Sequence, residues 1–124
     1  MESLKEIEWE LNIFKSIKDF SDIELQTITW SGKNQNQISS FTETLATLYD
    51  DFDFDEYISF YSNKYGNTEF LKLLLAFNIQ VNNFKYDGYV LEQTDNGHLK
   101  ILNDPRWIEI AKIATIIMTY KRKM

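Results

Sequence analysis

Five apolar residues, Ile38, Phe41, Leu45, Leu48 and Phe52, recur at steps of three, four, three and four. That spacing lines one face of an α-helix and no face of a strand. Asn34 or Asn36 can cap this helix at its N-terminal end. A committed amphipathic helix in the first half of the chain needs other apolar faces to bury against. The composition supplies them: 44% of the 124 residues are hydrophobic and 15% aromatic, enough for one core at the common size of a single domain. With one proline and four glycines there is no linker signal. The expectation is one globular domain over residues 1–124.

Around this helix the pattern predicts several others. Ser3 and Glu6 form a capping box ahead of Leu4, Ile7, Leu11 and Phe14, which predicts a helix over about residues 4–20. Trp9, Ile13 and Ile17 lie off that stripe, so this helix is expected to touch neighbours on more than one side. Residues 25–30, rich in β-branched side chains and followed by Ser31-Gly32, read as a short strand. Asp53, with Glu56 three residues on, is the expected cap of a helix carrying Tyr57, Tyr61 and Tyr65, closed by Gly66. Asn67 caps the next helix, over about residues 68–81, whose apolar residues surround it.

Beyond Asn82-Asn83 the pattern becomes alternating, and Asn96-Gly97 between alternating runs is a strong short-range signal for a type I′ turn. A β-hairpin over about Tyr89–Leu102 is predicted. Asp104-Pro105 then opens a closing helix through Trp107, Ile110, Ala111, Ala114, Ile117 and Met118. The fold class read from this order is α+β and mostly helical. It has about five helices and a hairpin in the C-terminal half, extendable to a three-stranded sheet, in a winged-helix-like order.

Charge is distributed unevenly. Residues 1–62 hold 13 Asp and Glu against 4 Lys and Arg, and residues 63–124 hold 6 against 9; the halves carry −9 and +3 and give the net −6. Such asymmetry bears on partners and steering, and a net acidic surface disfavours direct binding to duplex phosphates. The absence of cysteine excludes disulfides, thiolate metal sites and thiol nucleophiles. The charged first ten residues lack the basic and apolar regions of a secretory signal, and the most apolar stretch, residues 108–120, is too short and too interrupted to span a bilayer. A cytoplasmic protein without a membrane segment is expected.

The densest chemistry lies in Tyr49-Asp50-Asp51-Phe52-Asp53-Phe54-Asp55-Glu56-Tyr57, five carboxylates and four rings with no cation among them. Asp51, Asp53 and Asp55 fit the first three ligand positions of an EF-hand loop. Position six is Glu56 where glycine is required, and position twelve is Ser62 where a bidentate glutamate is required. No glycine-rich phosphate loop accompanies the Asp-x-Asp pairs. The bland alternative is that these aspartates cap a helix and complement its dipole while Phe52 and Phe54 turn inward. His98, the single histidine, has no triad pattern and is expected on a solvent-facing strand. The Tyr57, Tyr61 and Tyr65 stripe is expected at a core edge, and Lys121-Arg122-Lys123 to complement the end of the last helix.

With no catalytic motif, no cofactor or metal signature and a surplus of clustered carboxylates, the expected function is non-enzymatic binding. Tyr49, Asp50, Asp51, Phe52, Asp53, Asp55, Glu56 and Tyr57 form the candidate partner-binding edge. Carboxylates would set the association rate, and exposed rings would anchor on a basic surface of a nuclease or other nucleic-acid-processing protein. Toxin-immunity proteins and phage anti-defence inhibitors, anti-CRISPR-like in role, are of this kind. The alternative is a winged-helix-like DNA-binding regulator, dimerised through its apolar last helix. That reading lacks groove-reading side chains on its candidate helices.

Overall fold

A computed structural model describes residues 3–32 and 39–122. Ser3 accepts from the Glu6 N–H while the Glu6 carboxylate accepts from the Ser3 N–H, and this box starts α1, Leu4–Ser21. Asp22 caps α2, Ile23–Thr29, by accepting from Leu25 N at 3.0 Å. Ser40 caps α3, Phe41–Ala46, which runs directly into a π-helical turn, Thr47–Asp51. The remaining helices are α4, Phe54–Tyr65; α5, Glu69–Glu92; α6, Gly97–Leu102; and α7, Pro105–Arg122. The expected caps Asn34 and Asn36, and the first apolar position Ile38, lie outside the described residues.

The expected α+β class is corrected: the described residues hold seven α-helices and no strand. Two elements account for the difference. The predicted strand at 25–30 is α2. Its β-branched residues are accommodated because the Thr27 hydroxyl donates to the Ile23 carbonyl and Gln26 is fixed from both ends. The Gln26 amide donates to the Asp19 and Phe20 carbonyls and accepts the Trp107 indole N–H at 3.0 Å.

The predicted hairpin is the last turn of α5, a tight turn and α6. Asn82-Asn83 does not end α5, since Phe70, Leu74, Phe77, Val81, Phe84 and Gly88 continue one buried face at steps of four and three. The apparent alternation of Phe84, Tyr86, Gly88 and Val90 is that of two opposite helix faces. Asn96 does take the left-handed conformation that Asn-Gly signals, with φ of 55°, but it joins two helices. Gly97 is needed for close approach: a Cβ there would sit 2.8 Å from the Glu92 Cα and meet the Leu91 carbonyl oxygen. Without a wing, the winged-helix order is lost, and His98 stands half-buried on α6.

α7 packs between α1 and α5. Lys121 near its C-terminus bonds to Glu10 at 2.9 Å and lies over the Phe14 ring, so α7 runs antiparallel to α1. Trp107 occupies the centre of the core, its ring 5.4 to 6.1 Å from those of Phe20, Trp30, Phe41 and Phe84. On α1 the buried side is Ile13, Phe14, Ser16, Ile17 and Phe20, with Trp9 half-buried beside it; Leu4 and Leu11 stay 85% and 66% exposed. Both stripes have helical spacing, and the side that meets α7 became the core face. Thr68 caps α5 where Asn67 was expected, and Tyr57 and Tyr61 are buried while Tyr65 is exposed.

Candidate functional site: an acidic edge split by a π-helical turn

The acidic segment occupies the junction of α3 and α4. After Ala46 the helix widens, and Phe52 N–H donates to the Thr47 carbonyl at 3.1 Å, the i to i−5 bond of a π turn. Asp53 then takes φ 51° and ψ 56°, a left-handed conformation that sharply redirects the chain into α4. Asp53 is positioned as the N-cap, and its carbonyl accepts from Tyr57 N–H at 2.9 Å. Its side chain makes no capping bond, so the expected capping of α4 by the Asp53 carboxylate is corrected. The left-handed backbone departs from the extended conformation in which an N-cap side chain reaches the first-turn amides.

The backbone also decides where the rings go. Phe54 is fully buried against Phe77 and Tyr49. Tyr57 is buried against Trp9 and Phe14. Tyr49 and Phe52 are half-buried and pack on the core. The expected exposed aromatic anchors are therefore absent. The Tyr49 phenol is tied inward: it donates to the Asn78 side-chain Oδ1 at 2.8 Å, and the Asn78 Nδ2 donates to the Asp55 carboxylate at 3.3 Å. Burial, and after it the neighbouring Asp55 charge, holds the Tyr49 hydroxyl well above its ordinary pKa; burial and then Glu10 do the same for Tyr57.

Asp50, Asp51, Asp53, Asp55 and Glu56 all remain exposed. None of them forms an ion pair among the described residues. The turn sorts them into two sets. Asp51, Asp53 and Glu56 line a shallow groove of about 530 Å³ facing α1, completed by Lys5, Glu8, Trp9, Asn12 and Phe52. Asp50 and Asp55 line a smaller recess of about 240 Å³ facing α5, with Tyr49, Asn82, Lys85 and Tyr89. The Trp9 indole N–H donates to the Phe52 carbonyl at 2.6 Å and locks the groove wall to α1.

Glu8 and Trp9 belong to this site and were not in the expected edge. Their signal is the spacing of Lys5, Glu8, Trp9 and Asn12, one helix face in which a tryptophan stands among polar residues. Asp51, Asp53 and Asp55 do not converge as an EF-hand would require. Among the described residues no group of three or more His, Asp or Glu side chains is placed to hold a metal ion. The arrangement can attract and orient a cationic surface, and the half-buried Trp9 and Phe52 rings can floor the contact.

No family model matches the chain, and neither the curated proteins nor the solved structures compared with it give a match. No helix among the described residues is long and apolar enough to cross a membrane.

Proposed function

We propose that this is a small non-enzymatic binding protein, an inhibitor of the toxin-immunity or phage anti-defence kind. It docks its acidic edge on a basic surface of a nucleic-acid-processing protein. One observation carries the reading: five exposed carboxylates are gathered at one helix junction with no ion pair of their own among the described residues. The cations Lys64, Lys72, Arg106 and Lys121 pair with Glu6, Glu69, Asp87, Asp104 and Glu10 instead. A cluster of like charges raises the local potential and costs folding stability through repulsion, a cost that a cationic partner reverses.

With the rings turned inward, the edge supports fast, salt-sensitive association more than a deeply anchored contact. Groups on a basic nucleic-acid channel would be neutralised by the carboxylates, and an extended cationic side chain would fit the groove over Trp9 and Phe52.

The test is affinity capture from the native host with the wild-type chain and with the triple variant Asp51→Asn, Asp53→Asn, Asp55→Asn as baits, followed by association kinetics with the captured protein. Asn keeps the shape of each side chain and tolerates the left-handed position. The expected results are a basic nucleic-acid-processing partner, an association rate falling at least ~10-fold between low and high salt, and a comparable loss in the triple variant. A rate indifferent to both salt and the three substitutions would overturn the reading.

A further inference from the structure

α5 carries two apolar seams on opposite sides. The inner seam is the buried face described above. The outer runs Lys72, Leu75, Ile79, Asn82, Tyr86 and Tyr89, at steps of three, four, three, four and three, with Val90 at its flank. This is the a/d spacing of a coiled coil, held over the length of a 24-residue helix. All of these residues are exposed, Ile79 at 57% and Tyr86 at 74%. An a/d seam is built to meet another helix, and none of the described residues covers it.

We propose that the outer seam of α5 is the interface of a homodimer in which two copies of α5 pack antiparallel. Three features select a second copy as the occupant. First, the seam is complementary to its own reverse. In antiparallel coiled coils an a position of one helix faces a d position of the other. Pairing Leu75 of one copy with Tyr86 of the other, and Ile79 with Asn82, puts the two-fold axis at the midpoint of Glu69–Glu92, so the helices overlap along their whole length of about 36 Å. The same register lays Lys72 against the Tyr89 ring, and Asn82, facing Ile79 of the other copy, is the polar step nearest the axis.

Second, no like charges meet along this flank. Lys85 and Asn78 fall on the same flank of the seam, and antiparallel packing sets Lys85 of one copy opposite Asn78 of the other, whose amide already holds Asp55. Third, a chain of net −6 must self-associate where its acidity is least. Between Glu69 and Asp87, α5 has two lysines and no acidic residue. The inference rests on observations separate from the proposed docking function, but the two meet at the α5-facing recess, which Asn82, Lys85 and Tyr89 also line. The Asn78–Asp55 flank lies on the same side of the two-fold in both copies, so the dimer shows two acidic recesses on one face.

Sedimentation velocity of the full chain alone, over a concentration series, tests the interface without any partner. The wild type is expected to dimerise, and to remain dimeric in high salt, where charge docking would weaken. Ile79→Glu and Tyr86→Glu are expected to raise the dissociation constant about 100-fold or more, as a charge forced into an interface centre does, with unchanged circular dichroism because both side chains are exposed. Since the chain has no cysteine, Leu75→Cys with Tyr86→Cys introduces the only thiols. Under mild oxidation this pair is expected to cross-link the dimer, and Leu75→Cys alone is expected not to. A wild type that stays monomeric at every concentration, or a dimer untouched by both glutamate variants, would overturn the proposal; cross-linking through Leu75→Cys alone would overturn the antiparallel register.

Discussion

Trp9 donates its indole N–H to the carbonyl oxygen of Phe52 across 2.6 Å, a single bond between residues 43 apart that fastens the acidic turn to α1. The ring itself is held edge-on against Tyr57 and tilted against Phe60. Trp9→Phe keeps most of this ring packing and removes the donor, leaving the half-buried Phe52 carbonyl to weaker partners. It is expected to cost about 1–2 kcal/mol in urea unfolding. Amide exchange is expected to quicken at residues 51–53 and not in α7.

Asp53 occupies a left-handed conformation that costs an ordinary L residue about 1 kcal/mol or more, and that glycine adopts freely. Its side chain gives no capping bond to offset a substitution. Asp53→Gly is therefore expected to be at least as stable as the wild type, and more stable than Asp53→Ala by about 1 kcal/mol in denaturant midpoint. Both variants lose the charge, so the pair separates backbone strain from docking. Both are expected to slow partner association equally.

Gly88 lies inside α5, where helix propensity alone would favour alanine by about 1 kcal/mol. A Cβ there would run into the Phe41 ring, with Cε2 at 2.6 Å. That ring is buried and hemmed in by Trp30, Phe84, Tyr89 and Trp107. Gly88→Ala is expected to destabilise by about 1–3 kcal/mol despite its propensity gain, since overpacking a filled core outweighs the helix preference. Thermal unfolding followed by circular dichroism measures the difference.

The pH dependence follows from Tyr49 and Tyr57. Burial raises both hydroxyl pKa values in the folded chain. Below about pH 10, the ordinary tyrosine pKa, both states hold the proton and the full stability is present. Above it the unfolded chain releases protons that the folded chain keeps, so stability falls as pH rises. Melting temperatures between neutral pH and the alkaline limb are expected to decline beyond about pH 10, with a shallower decline in Tyr57→Phe. A Tyr57→Phe profile parallel to the wild type would contradict this assignment.

Local bonding was legible in the sequence wherever a few neighbouring residues decide the structure. The Ser3–Glu6 box, the end of α4 at Gly66 and the start of α7 at Pro105 all lie where spacing put them. Illegible were places where one local pattern serves two structures. Asn96-Gly97 supplies a positive φ to a hairpin or to a helix junction, and only the packing of Gly97 on the α5 backbone chooses between them. Leu4, Ile7 and Leu11 make as good a stripe as Trp9, Ile13 and Ile17, and the choice lay with α7, more than eighty residues away. At the candidate site the gathering of five carboxylates was legible in the sequence, while their exposure is decided by the fold. The inward turn of Tyr49 was not legible, because it depends on Asn78, 29 residues away, whereas the helical stripe of Tyr57, Tyr61 and Tyr65 had already pointed Tyr57 to a core edge.

The π-helical turn at Thr47–Asp51 carries one residue more than an α-helix of the same rise would need. Removing a single residue there would restore ordinary α-helical winding. Every side chain between that point and Asp53 would then swing by about 100°, the angular step of one residue. Asp51 would then move to the α5-facing place that Asp50 now holds, while Leu45 upstream would keep its place in the core. The display of charge on this molecule is thus indexed by chain length: a one-codon deletion can redirect it with no substitution at all.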